Sequence, residues 1–183
     1  MPNGTSTISA FRAYSSPLVD NSSFTQLIMD GTNALASIIV DKIGSGSYYP
    51  LVSVVGGAER MRIDTSGNVL VTGSGALGYG TGSGGTVTQA TSKSTTVTLN
   101  KPTGQITMNS AALAAGVSLS FTFTNSLIAN SDILVLSLKN GSGSVNAYKF
   151  FSECANGNAV IQVTNISGIS LAEAIVINFA IIK

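Results

Sequence analysis

Val117-Ser118-Leu119-Ser120-Phe121-Thr122-Phe123-Thr124 decides the fold class. Four apolar residues alternate with four hydroxyl residues. A strand sends successive side chains to opposite faces, so this octet has one core face and one polar face. Downstream, residues 132–138 are nearly continuously apolar and read as a central strand buried on both faces. Asn140-Gly141-Ser142-Gly143-Ser144 reads as a hairpin loop and residues 147–154 as the next strand. Asn156-Gly157-Asn158 is a turn. The strand over 159–165 follows, with Val160 out of phase with Ile161 and Val163. Residues 169–172 make a short connection, and 174–182 form the closing strand.

Upstream of the octet, residues 86–91, 95–99 and 105–108 read as strands, with Lys101-Pro102-Thr103-Gly104 as a turn. The Ala-rich residues 110–115 permit one helical turn ended by Gly116. About eight strands in roughly a hundred residues is the count of a β-sandwich or jelly roll.

Residues 58–85 have a different texture. Met61 and Ile63 alternate with Arg60, Arg62 and Asp64. Thr65-Ser66-Gly67-Asn68 is a turn, and Val69-Leu70-Val71-Thr72 resumes as a β-branched strand. The chain then loosens into glycine and serine up to Gly85. A hairpin followed by a glycine-rich hinge reads as a joint. Before it, strands are expected over 24–29, 34–41 and 48–55, separated by Asp30-Gly31-Thr32-Asn33, Gly44-Ser45-Gly46-Ser47 and Gly56-Gly57. Residues 1–23 are polar. Phe11, Tyr14 and Leu18 permit a short helix, which Pro17 keeps from growing. An arm this polar reads either as an anchor docked on a larger assembly or as a first strand plus a loop.

The expected organisation is therefore all-β, in three parts. These are an arm and small antiparallel region (1–57), a hairpin and hinge (58–85), and an antiparallel β-sandwich (86–183).

Charged residues make up 9% of the chain, against roughly 25% in ordinary soluble domains. The hydrophobic share is 44%, so Ser, Thr, Asn and Gly must supply the polar surface. Subunits that pack on copies of themselves have little need of charge, because interface cores are poor in Lys, Glu and Asp. A net charge of +1 gives no electrostatic footprint for nucleic acid. The single Cys154 cannot form an intrachain disulfide and reads as a small buried hydrophobe. Residues 1–6 show neither a basic nor an apolar signal region, and no stretch approaches the roughly 20 apolar residues of a membrane span.

Chemistry-bearing constellations are sparse. The chain has no histidine, which removes the triad base and the commonest metal ligand. Glu59 and Asp64 form one close acidic pair, but Arg60 and Arg62 lie between them and favour local ion pairing over a glycosidase-like role. The remaining acids, Asp20, Asp30, Asp41, Asp132, Glu153 and Glu173, are scattered. The glycines of 78–85 lack the Lys-Ser/Thr and the helix of a phosphate loop, so a hinge or close chain crossing is the better account. Tyr48, Tyr49, Tyr79 and Tyr148 are candidate stacking residues, though a strand tyrosine is more often half buried. No catalytic, cofactor-binding or metal residue is expected.

Glu59-Arg60-Met61-Arg62-Ile63-Asp64-Thr65-Ser66-Gly67-Asn68-Val69 resembles the ERMRIDSSGNVGIG hairpin that recurs in tail fibres and related appendages of tailed bacteriophages. Gly78-Tyr79-Gly80-Thr81-Gly82-Ser83-Gly84-Gly85-Thr86-Val87-Thr88-Gln89 is similar to part of a C-terminal domain of phage virion proteins. So are Lys101-Pro102-Thr103-Gly104-Gln105-Ile106-Thr107-Met108 and the closing Ile177-Asn178-Phe179-Ala180-Ile181-Ile182-Lys183. The resemblance implies a homotrimeric structural protein on the virion surface, made in the host bacterial cytoplasm and held to capsid or tail proteins by its N-terminal part. Leu70-Val71-Thr72 departs from the usual Gly-Ile-Gly, and neither a repetitive shaft nor a self-cleaving chaperone domain is present. These departures point to a short capsid decoration or head fibre, with a tail fibre or glycan receptor-binding protein as the alternative.

Overall fold

The computed structural model describes residues 7–14, 23–30, 35–42, 44–140 and 146–183. Among them every regular element is a β-strand, and there are fourteen. The chain divides into two compact units, Met1–Leu77 and Gly78–Lys183.

The first unit holds two antiparallel meanders. One runs β1 (Thr7–Tyr14), β2 (Ser23–Asp30) and β3 (Leu35–Lys42). The other runs β4 (Leu51–Val55), β5 (Ala58–Ile63) and β6 (Val69–Val71). Gly56 and Gly57 both have positive φ, 63° and 75°, the conformation that a tight two-residue hairpin demands and that glycine adopts without a Cβ penalty. The register shift between Ser53 and Val54 marks a bulge at Arg60, the extra residue on β5.

The second unit holds two four-stranded sheets. The order in one is β12 (Tyr148–Ala155), β13 (Asn158–Asn165), β10 (Ser118–Thr124) and β8 (Val97–Thr98). In the other it is β11 (Ile133–Asn140), β14 (Val176–Ile182), β9 (Thr103–Thr107) and β7 (Thr86–Thr88). Pairing is antiparallel except for β10 with β8 and β7 with β9. One buried cluster joins both sheets: Phe121, Phe123, Ile161 and Val163 from the first, Ile106, Ile177, Phe179 and Ile181 from the second. Phe123 and Phe179 meet edge to face, ring centroids 4.7 Å apart. Each such buried ring contributes about 1.5–3 kcal/mol of apolar burial. Two wholly buried amides tie loops to strand ends. Asn125 donates to Lys101 O at 2.7 Å and Asn165 to Leu113 O and Ile169 O, both at 2.8 Å.

Several elements differ from expectation. Phe11 and Tyr14 lie in β1, so the helical spacing is not used; Leu18 lies outside the described residues. Residues 48–50 precede β4 rather than extending it, since Pro50 has no N–H to give a ladder. Residues 110–115 form no helix, and Leu113 instead bridges Leu171. Thr103 and Gly104 belong to β9 rather than to a turn. β11 is an edge strand, with Leu134 buried but Ile133 and Val135 exposed on its outer side. β11 pairs with β14 and β12 with β13, so their connection is not a hairpin; residues 141–145 lie outside the described residues. Cys154 is half-buried against the core rather than within it.

Gly104 is where the second unit has no room to spare. A methyl group there would lie 2.3 Å from Gly85 O and 3.0 Å from the Phe179 ring. Gly85 O in turn accepts the Gln105 N–H at 2.9 Å. Gly104→Ala is therefore expected to lower stability by about 1–3 kcal/mol, the cost of overpacking. At Gly84 the added carbon meets Thr103 only at 3.7 Å, so Gly84→Ala should stay within about 0.5 kcal/mol. Denaturant midpoints of the two variants check the difference.

Candidate functional site

The charged hairpin is internally paired. Arg62 Nε donates to Glu59 Oε1 at 2.6 Å, and Nη2 donates to Oε2 at 2.5 Å. This forked contact holds the Glu59 carboxyl below its ordinary range and the Arg62 guanidinium above its own. Asp64 accepts 2.9 Å hydrogen bonds from Asn68 Nδ2, Asn68 N and Ser66 N. They close the β5–β6 turn and lower its pKa, the Asn68 side chain contributing most. Both carboxylates are thus engaged and ionised, which suits a structural hairpin and leaves neither as a proton donor near neutral pH.

Strand register sorts this sheet into two faces. Val52, Arg62 and Leu70 are cross-strand neighbours on one, and Glu59 joins them through its Arg62 pair. Leu51 with Ile63 and Val69, and Ser53 with Met61 and Val71, occupy the other. That second face carries no charge. Val69 is 66% exposed, Met61 45% and Val71 39%. At its end, Leu51 and Ile63 join Ile38, Val40, Tyr48, Tyr49 and the turn residues Asp64, Thr65 and Gly67 around an open groove of about 310 Å³. Tyr48 and Tyr49 are exposed, and Lys42 Nζ lies 4.8 Å from the Tyr48 ring centre. Among the described side chains of this unit, none is buried.

On the second unit, Phe151 is exposed on the outer side of β12. With Ser120, Glu153, Val160 and Gln162 it lines a shallow depression of about 290 Å³. Lys149 Nζ stands 4.8 Å from the ring centre, a cation–π contact. The glycine run ends in a cleft of about 390 Å³ bounded by Gly84, Gly85, Thr86, Thr103, Gly104, Gln105 and Asn178. No cationic side chain lines it, which fits a close chain crossing better than a phosphate cradle. Tyr79 lies just before, its hydroxyl donating to Ile181 O.

One buried polar group escapes sequence reasoning altogether. Lys93 sits in Thr91-Ser92-Lys93-Ser94, which reads as a surface loop, yet it is 3% exposed. Its Nζ donates to Asn109 O and Glu173 O, both at 2.6 Å. Buried Gln89 frames the same loop by donating to Lys93 O and Thr95 O at 2.9 Å. Burial lowers the Lys93 pKa and the charge of Glu173 opposes that. Tyr148, expected as a stacking residue, is instead buried. Its hydroxyl and Glu173 Oε1 are both buried without a well-formed hydrogen bond. Burial first, and the adjoining Glu173 second, push the phenol far above its ordinary range. Lys93 and Gln89 tie loop 89–95 to the backbone at residues 109 and 173. Among the described residues no group of His, Cys, Asp and Glu could hold a metal ion, and no helix is long and apolar enough to cross a membrane.

The phenol sets an alkaline expectation. A pKa raised on folding contributes stability that is full below the unfolded value of about 10 and is lost as pH climbs toward the folded value. Lys93 acts with the opposite sign, shedding its proton earlier when folded. Tyr148 should therefore stay protonated above the usual phenol range of about 10 and ionise only as the unit unfolds. Absorbance titration near the phenolate band checks this. Tyr148→Phe should change stability at neutral pH by less than about 1 kcal/mol, because the lost hydroxyl has no good partner, and should flatten the alkaline decline.

Against known proteins, no family profile, curated sequence or solved structure matches this chain.

Proposed function

We propose that the chain is a non-enzymatic structural protein of a bacteriophage virion. In this reading it is a short trimeric surface appendage, a capsid decoration or head fibre. The N-terminal part attaches to other virion proteins and the C-terminal unit is displayed. The observation that carries the reading is the contrast between the two units. Residues 78–183 bury a dense core between two four-stranded sheets. That arrangement supports a jelly-roll-like β-sandwich knob able to stand alone. The small β4–β5–β6 sheet presents apolar side chains, none of them buried. Such a unit gains its stability from what it is built into. A chain with 9% charged residues suits that use.

The alternative, a tail-mounted receptor-binding protein, draws on the Phe151 depression. An exposed ring beside a carboxylate, an amide and a hydroxyl matches the needs of a sugar, whose C–H face stacks while its hydroxyls find donors and acceptors.

Particle labelling and a truncation decide between these. Immunogold labelling of virions that carry the protein should mark the head; label on the tail favours the alternative, and unlabelled particles overturn both. Deleting residues 1–57 should abolish particle association while the knob stays folded. Host polysaccharide should be left uncleaved, and retention of the protein on it that is lost in Phe151→Ala would support the receptor-binding reading.

A further inference from the structure

We infer that the depression beside Phe151 seats one neutral pyranose, stacked on the ring and held by the Glu153 carboxylate through two adjacent hydroxyls. The inference rests on the receptor-binding alternative and names its ligand.

Strand pairing lays out the outer face of this sheet as three rows. Lys149, Thr164 and Ser118 form the first, Phe151, Gln162 and Ser120 the second, and Glu153, Val160 and Thr122 the third. In the first row the polar groups are already used. The Ser118 and Thr164 hydroxyls bond each other at 2.8 Å, and Lys149 Nζ lies over the Phe151 ring, 4.8 Å from its centre. In the other two rows polar groups remain free. The Glu153 carboxylate, the Gln162 amide and the Ser120 hydroxyl have no hydrogen-bond or ionic partner among the described residues. These three converge with Phe151 and Val160, 50% and 43% exposed, on the depression of about 290 Å³. Ser152 also borders it, but its hydroxyl is turned away to Leu134 O at 3.0 Å.

That set of groups suits a sugar better than an apolar or a charged partner. A pyranose carries C–H bonds on one face and hydroxyls around its rim. The C–H face packs on an exposed aromatic ring. A carboxylate only accepts, and its two oxygens span hydroxyls on neighbouring carbons. An amide and a hydroxyl both donate and accept, so Gln162 and Ser120 serve the rest of the rim. Glu153 also selects against acidic sugars. No cation borders the depression to balance it, so a uronate would bring a second negative charge to the same place. The volume limits the ligand to a single ring, since it lies at the bottom of the usual ligand-pocket range of about 300–1,000 Å³. β12 ends the sheet on that side, which leaves the rest of a glycan chain a free path past the edge.

Saturation-transfer NMR on the full-length chain tests this with the methyl pyranosides of glucose, galactose and mannose, and with methyl glucuronide. At least one neutral sugar should bind with Kd on the order of 1 mM, the strength a ligand of this size reaches. Methyl glucuronide should bind at least roughly tenfold more weakly. Phe151→Ala should abolish the signal, and Phe151→Tyr should keep it. Glu153→Gln preserves the shape but loses the charge-assisted bonds, and should raise Kd roughly tenfold. Ile133→Ala, at an exposed position on the other sheet, should change nothing. Preference for the glucuronide, or binding unchanged in Phe151→Ala and Glu153→Gln, overturns the inference. So does retention of the chain on host polysaccharide with none of the four sugars bound; the receptor-binding reading then stands. Absence of both kinds of binding overturns the two together and leaves the capsid reading untouched.

Discussion

The second unit depends on the contact of Phe123 with Phe179 across its two sheets. Phe179 lies over Gly104, its register partner on β9. Gly104 in turn lies so close to Gly85 that only hydrogen fits between them. A large ring, a missing side chain and a parallel strand thus occupy one column through the unit. Enlarging any member moves the next, because protein interiors are packed like organic crystals and transmit such strain. The polar anchors depend on the same column. Thr103 donates to Phe179 O at 2.9 Å, and Lys183 pairs with Asp132 at 2.7 Å where β14 ends beside β11.

The first unit is governed by a different constraint. Its strands pair well, with tight glycine turns and an Asp64-capped loop, yet pairing alone does not remove apolar side chains from water. Backbone hydrogen bonds exchange protein partners for water and contribute little net stability. Apolar burial contributes more. A sheet whose Val69 and Met61 remain exposed has much of that burial still to gain. The chain's low charge, 9% of residues, leaves it with few solvated side chains.

Much of the fold was legible because period-2 alternation is a local signal. Phe121 and Phe123 of the octet are buried on β10 as their phase required, though Val117 precedes the strand and is exposed; Val160 likewise falls outward while Ile161 and Val163 are buried. The errors share one cause. The apolar run in β11 looks like a strand covered on both sides, but apolar content cannot say whether a cover is supplied by the same chain. Thr103-Gly104 looks like a turn because glycine punctuates turns; here glycine is needed for a neighbouring backbone to pass. The Phe151 depression was invisible because its lining comes from three strands brought together by pairing. Lys93 gave no signal at all, since a lysine among serines looks like surface until its carbonyl partners are known.

By itself the sequence determined the all-β class, most strand positions, the absence of a histidine-based chemistry and the internal pairing of the charged hairpin. These follow from neighbours a few residues apart, where alternation, turn residues and charge order act directly. Only the tertiary structure decided sheet order, the parallel placement of β7 and β8, and the burial of Lys93 and Tyr148. Those depend on contacts between residues distant in sequence, such as Lys93 with Glu173 and Phe123 with Phe179. No local pattern encodes them, because burial is a property of what packs on top of a strand and not of the strand alone.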